Sequence, residues 1–334
     1  MILEEKIKQA VIKWRQNGYP NVSSISKRLL EFWFKEEHIL SDGSLFKFWQ
    51  CQRQAIESLI YIYEVCQYKS LYDLARGFNV SMNIDPTGDF WPKYCFKMAT
   101  GSGKTWLMAL AILWQYFNKT FDIDNGPYTS HFLLLTPNLI VLDRLKEAFA
   151  DNRLFISFPF IPPEWQTDFD LQFVLQSEDI PRTASGILHL TNIQQLYEKQ
   201  EQKPVNPLDK LLGQKPKKDE QIVYDTFCEQ LRQYSDLMIL NDEGHHVHSD
   251  DLKWNKIIAN LDESIDNGLT MQLDFTATPK DLQGGFFPHI IYNYPLAQAI
   301  EDRIVKRPRI GAVSYTHLRA HETSLHLVCR LLLE

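Results

Sequence analysis

The sequence predicts an α/β fold: a doubly wound parallel sheet with an N-terminal helical extension. Three observations predict it. Apolar strand-length runs alternate with helical segments between about residues 94 and 276, the pattern of right-handed βαβ units. One run, Tyr94-Cys95-Phe96-Lys97-Met98, leads into Ala99-Thr100-Gly101-Ser102-Gly103-Lys104-Thr105 and then the unbroken apolar segment Trp106 to Trp114. That strand–loop–helix order makes an anion cradle from backbone N–H groups at a helix start. Another run, Leu237 to Leu240, ends in Asn241-Asp242-Glu243, and sheets of this kind bind ligands at the carboxyl ends of their strands.

Taken in order, Leu3 to Gln16 carry apolar side chains at helical spacing (Ile7, Ala10, Val11, Trp14) and stop at Asn17-Gly18-Tyr19-Pro20. Ser23 or Ser24 is placed to cap a second helix bearing Leu29, Leu30, Phe32 and Trp33, and Asp42-Gly43 is a turn. Residues 1–44 are therefore read as the helical extension. From Leu45 the chain leads into a long helix through about Gln67, and a loop over Gly77 to Pro92, rich in Asn, Asp, Pro and Gly, delivers it to the strand before the glycine run. The helix after that run is expected to end near Asn118. Next come a strand at His131 to Pro137, a helix at Val141 to Phe149, mixed strand and loop over Leu154 to Gln176, and a strand at Gly186 to Asn192 entering a helix from Ile193. Lys199 to Gln221, rich in Lys, Gln and Pro, reads as a surface insertion with Lys215, Lys217 and Lys218 solvated. A helix over 222–234, the strand at Leu237, a helix near Lys253 to Leu261 and a strand at Met271 to Thr276 complete a lobe assigned to residues 45–301.

The totals bound the function. A chain of 334 residues, 44% hydrophobic and 23% charged, can bury a real core. Its net charge of -7 argues against a small basic module held to nucleic acid by bulk electrostatics, while permitting a local groove. Five cysteines (Cys51, Cys66, Cys95, Cys228, Cys329) form no C-x-x-C pair, so neither a zinc ribbon nor a disulfide framework is indicated. The start, Met1-Ile2-Leu3-Glu4-Glu5-Lys6, lacks the apolar stretch of a signal peptide, and no run reaches membrane length. The expectation is a cytoplasmic protein without a membrane partner.

The chemistry sits in the glycine run and the acidic pair. Gly101 and Gly103 allow a tight turn around phosphate, Lys104 reaches the β- and γ-phosphates, and the Thr105 hydroxyl holds Mg²⁺. Of the adjacent carboxylates Asp242 and Glu243, one would complete the metal shell and the other would orient water. His245-His246-x-His248 has the look of a metal cluster, but its spacing suits a loop better than a zinc site. Trp106 and Trp114 are read as core rather than as platforms for stacking bases.

Ala99 to Thr105, Asp242-Glu243-Gly244-His245 and Thr276-Ala277-Thr278-Pro279 resemble motifs I, II and III of superfamily-two DEAD/DEAH-type helicases, most closely the Res subunit of type III restriction endonucleases. Two positions depart from the common pattern: Met98 stands where the strict phosphate-loop pattern has Gly, and Gly244 where the DEAH form has Ala. The resemblance spans about residues 45 to 309. It implies a P-loop, RecA-like lobe that binds ATP and Mg²⁺ through Thr100, Gly101, Ser102, Gly103, Lys104 and Thr105 with Asp242, and hydrolyses ATP with Glu243. It further implies that Gln52 recognises adenine and that His245, Thr276 and Thr278 couple nucleotide state to nucleic acid. Thr136-Pro137, similar to motif Ia, and Thr191-Asn192, where a motif Ib contact is expected, would grip a DNA strand. A modification methyltransferase would be a partner subunit. Two rivals remain open: a packaging ATPase of the phage-terminase kind, against which Thr276 to Pro279 speaks, and a non-catalytic nucleotide-gated DNA-binding module.

Val313 to Thr323 resembles a translated sequencing-library adapter, and Leu327 to Glu334 its flow-cell partner, with Ser324, Leu325 and His326 between them as an index. The native frame is therefore expected to end near Ala312, with 302–312 leading toward a second lobe and 313–334 non-native. In this superfamily the second lobe supplies an arginine worth ~10³–10⁵ in rate, so the chain as given is expected to bind nucleotide weakly and hydrolyse little.

Overall fold

The computed structural model describes residues 2–81, 90–121, 126–175, 184–192, 227, 229–242, 251–278 and 289–306. The N-terminal extension forms as the apolar spacing predicts. Helix α1 (Leu3–Gln16) buries Leu3, Ile7, Val11 and Trp14 along one stripe. The chain then reverses through Gly18 and Tyr19, both in the left-handed region. Helix α2 (Ser24–Lys35) is capped by Ser23, whose hydroxyl accepts the Ser26 N–H at 3.0 Å. Strands β1 (His38–Ile39) and β2 (Leu45–Phe46) pair antiparallel across the Asp42-Gly43 turn.

The long helix expected from Leu45 starts later, as α3 (Gln50–Ile60), because Leu45–Phe46 belongs to that hairpin. It continues through a π-helical turn at Tyr61–Cys66 and stops at left-handed Gln67. Helix α4 (Leu71–Gly77) is an addition to the expected elements, and Ser70 and Asp73 cap each other reciprocally at its start. The remaining elements are β3 (Lys93–Met98), α5 (Lys104–Phe121), β4 (His131–Thr136), α6 (Leu139–Phe149), α7 (Arg153–Ser157), β5 (Leu171–Leu175), β6 (Gly186–Asn192), β7 (Leu237–Asp242), α8 (Asp251–Ser264), β8 (Leu269–Thr276), β9 (Ile290–Tyr294) and α9 (Leu296–Glu301). Helix α5 outlasts the expected end at Asn118 because no breaker stands before Phe121. The readings at 193–226, Lys199 to Gln221 among them, and the tail 307–334 lie outside the described residues.

Strands β3 to β9 make one seven-stranded sheet in the order β5-β6-β4-β7-β8-β3-β9, and every pairing in it is parallel. Both faces are covered, as a parallel sheet requires. On one face Tyr94, Phe96, Met98, Leu134, Met238, Leu240 and Phe275 share a core with α1, α2, α3 and α5. On the other, Leu133, Leu135, Leu237 and Ile239 pack with Phe227, Leu231, Ile258 and Leu261. This is the α/β doubly wound, RecA-like architecture with an N-terminal helical extension. Among the described residues no helix is long and apolar enough to cross a membrane.

A buried carboxylate ties the extension to α3. Glu57 on α3, wholly buried, accepts from Arg15 Nε at 2.9 Å, Arg53 Nε at 2.8 Å and the Tyr19 hydroxyl at 2.6 Å. A carboxylate out of water is stable only with such compensation. The network sets the position of α3, whose first turn reaches the glycine run.

Candidate functional site

The site begins where β3 ends. Tyr94, Phe96 and Met98 are buried on the α5 face, so the strand is fixed and the turn after it is forced. Ala99 N–H donates to the Tyr294 carbonyl of β9 at 3.0 Å, anchoring the loop entry to the edge strand. Ser102 closes the turn twice onto the Ala99 carbonyl, through its N–H at 3.2 Å and its hydroxyl at 2.7 Å. Gly101 and Gly103 hold φ of +81° and +85°, a conformation that L side chains rarely adopt. Trp106 and Leu107 N–H groups both donate to the Gly103 carbonyl, which starts α5. Thr100 is exposed at the rim, whereas Ser102 and Lys104 are buried.

Helix α3 clamps this loop from one side. A β-carbon on Gly103 would lie 2.2 Å from Gln52 Nε2, so the Gln52 amide occupies the space that glycine leaves. The same side chain accepts the Trp49 N–H through Oε1 at 2.8 Å, capping α3. Neighbouring Cys51 donates through Sγ to the Ser102 carbonyl at 3.7 Å. Burial pushes the Cys51 thiol up to about 11, which keeps it protonated as a donor.

Strand register places the acidic residue. Asp242 pairs with Phe275 of β8, and Phe275 pairs with Phe96 of β3. The Asp242 Cα is thus level with Phe96 and two strand spacings away, about 10 Å, on the edge where the glycine run begins. Met238 and Leu240 face the α5 core, so strand alternation turns Asp242 to that face too. Its side chain is 1% exposed, and Oδ2 accepts from Arg144 Nη2 of α6 at 2.7 Å. Sequence reasoning missed Arg144, which lies 98 residues away along the chain.

The other expected residues fall along the same edge. Leu135 pairs with Asn241, and Thr136 pairs with Asn192, so Thr136, Asp242 and Asn192 stand at one level across β4, β7 and β6. The Thr136 hydroxyl donates to the Thr191 carbonyl at 3.4 Å, and Thr136, Thr191 and Asn192 are buried while Pro137 is half-buried. Thr276, buried, and Thr278, exposed, fold onto each other: Thr278 N–H donates to Thr276 Oγ1 at 3.2 Å. Glu243, His245, His246 and His248 lie outside the described residues. Trp114 is wholly buried, with its indole N–H donated to Ser26. Trp106 sits among Phe46, Phe48, Phe158 and Phe160 as part of the core.

No curated protein matches the chain. Among solved structures it is similar to a nuclease-deletion mutant of the Type ISP restriction-modification enzyme LlaGI in complex with a DNA substrate mimic, at 14% identity and a TM-score of 0.36. That alignment covers 63% of this chain and 18% of LlaGI, so the chain spans less than a fifth of that protein's length. The family profile described as "Type III restriction enzyme, res subunit" matches residues 45–281, well over half of the chain and all of the glycine run, the acidic strand end and the Thr276–Thr278 turn. The chain belongs to the type III restriction enzyme res-subunit family.

Proposed function

We propose that the chain is the ATP-binding motor lobe of an ATP-dependent DNA helicase or translocase, the restriction subunit of a type III-like system. In this reading residues 45–301 are the nucleotide-binding lobe and 1–44 its helical extension. One observation carries the proposal: the left-handed glycine turn and the buried Asp242 carboxylate stand two strands apart on one sheet edge.

The residues fit the cofactor. The positive φ at Gly101 and Gly103 curls the backbone tightly before α5, which begins at Lys104 with its N-terminal N–H groups directed to the loop. Thr105 and Asp242 supply hard oxygen donors of the kind Mg²⁺ prefers. Bound Mg²⁺ would neutralise charge on the β- and γ-phosphate oxygens. Lys104 adds a fixed positive charge, and Glu243 orients the attacking water. Gln52, with Oε1 accepting the Trp49 N–H and Nε2 lodged beside Gly103, holds the loop's shape, and it would have to turn from these partners to recognise adenine. Thr276, Thr278 and His245 couple nucleotide state to DNA. With Thr136, Thr191 and Asn192 buried, their strand ends offer backbone groups to DNA phosphates, contacts that position a strand without reading its sequence.

Equilibrium binding of a fluorescent ATP analogue tests the proposal. Lys104→Ala should abolish binding, whereas Glu243→Gln should keep it. Undiminished binding by Lys104→Ala would overturn the site.

A further inference from the structure

The Asp242 carboxylate already has a cation. Arg144 Nη2 donates to its Oδ2 at 2.7 Å, and the two side chains differ sharply in exposure, 55% for Arg144 against 1% for Asp242. The exposed guanidinium thus reaches from solvent to a carboxylate that is itself almost wholly buried. A carboxylate this buried needs a counter-charge whenever no metal is present. A mostly exposed guanidinium on a flexible stem can also leave for water at little desolvation cost.

We propose that Arg144 is the resident counter-cation of Asp242 and that Mg²⁺·nucleotide displaces it, making Arg144 a brake on metal loading at the phosphate loop. The proposal rests on the reading of Asp242 as the metal-holding carboxylate. An arginine that instead oriented Asp242 toward the metal would have the opposite effect on affinity, so the sign of the change decides between the two roles.

The test is a titration of the full chain with mant-ADP, in excess Mg²⁺ and separately in EDTA. Arg144→Gln should tighten Mg²⁺·mant-ADP binding roughly twofold to fivefold, the size of one partly exposed ion pair, and leave the EDTA titration unchanged. Arg144→Lys keeps the cation and should stay near wild type. Arg144→Met replaces the glutamine variant if the latter loses its native circular dichroism. Asp242→Asn should erase the Mg²⁺ dependence in either arginine background. Weaker or unchanged Mg²⁺·mant-ADP binding in Arg144→Gln, with Asp242→Asn still erasing the Mg²⁺ dependence, overturns the brake and leaves the site reading standing. Mg²⁺ dependence that survives Asp242→Asn overturns both.

Discussion

The Gln52 side-chain amide lies 2.2 Å from where a β-carbon on Gly103 would sit. Fifty-one residues apart, these two positions share one packing volume: the helix before the sheet closes the turn after its strand β3. Glycine at 103 thus answers two demands, a positive φ and an occupied space, whereas Gly101 answers mainly the first, with only Val305 at 3.7 Å.

Gly101→Ala and Gly103→Ala should therefore differ. Each forces a left-handed L residue, costing about 1–2 kcal/mol. Gly103→Ala must also push Gln52 off the loop, so it should be the less stable variant and the poorer nucleotide binder. In a Gln52→Ala background, which already lacks the Trp49 cap, Gly103→Ala should cost only about as much as Gly101→Ala does in the wild-type chain. Additive losses in that double-mutant cycle, measured by urea unfolding, would show that the two residues do not contact.

Glu57→Ala leaves the Arg15 and Arg53 guanidinium groups and the Tyr19 hydroxyl facing an emptied acceptor. Because both arginines keep about a fifth of their side-chain exposure, the expected loss is roughly 2–4 kcal/mol, toward the low end for a broken buried pair. The chevron should show faster unfolding. Nucleotide affinity should fall as well, since α3 carries Gln52 and Cys51 to the loop.

His189 makes stability depend on pH. Burial, with a smaller contribution from nearby His131, lowers its pKa from 6.5 to about 4, and its Nε2 pairs with the Tyr234 hydroxyl at 2.7 Å. The unfolded chain binds the proton first as pH falls, so this group's stabilisation is full above about pH 6.5 and is lost toward pH 4. The amount at stake is up to about 3 kcal/mol. His189→Gln should flatten that part of the stability–pH curve. An unchanged slope between pH 6.5 and 4 would show that His189 is not its source.

Asn138 caps α6 by accepting the Val141 N–H at 3.0 Å. Asn138→Ala should cost about 1 kcal/mol and Asn138→Asp almost nothing, read as shifts in the denaturation midpoint at constant slope.

Much of the fold was legible because its signals are local. The strand–turn–helix at Met98 to Thr105, the apolar runs of β4, β6 and β7, and the stripe of α1 each lie within one stretch of chain. Strand β9 escaped notice although Ile290-Ile291-Tyr292-Asn293-Tyr294, between Pro288 and Pro295, has strand composition. Five residues are too few for alternation to separate a strand from a connecting loop. Helix α4 was missed for the same shortness, despite a capping box in plain view.

The turn at Gly101 and Gly103, the helix that follows at Lys104 and the acidic residue that ends β7 are all written in the local sequence. These depend on dihedral freedom, periodicity and hydrophobic runs, which neighbouring residues decide. The placing of β7 and β3 two strands apart, of Gln52 in the space at Gly103 and of Arg144 on Asp242 comes from the folded chain. Each of those is a contact between segments distant along the chain. Register, burial and side-chain reach select such contacts, and no local pattern encodes them.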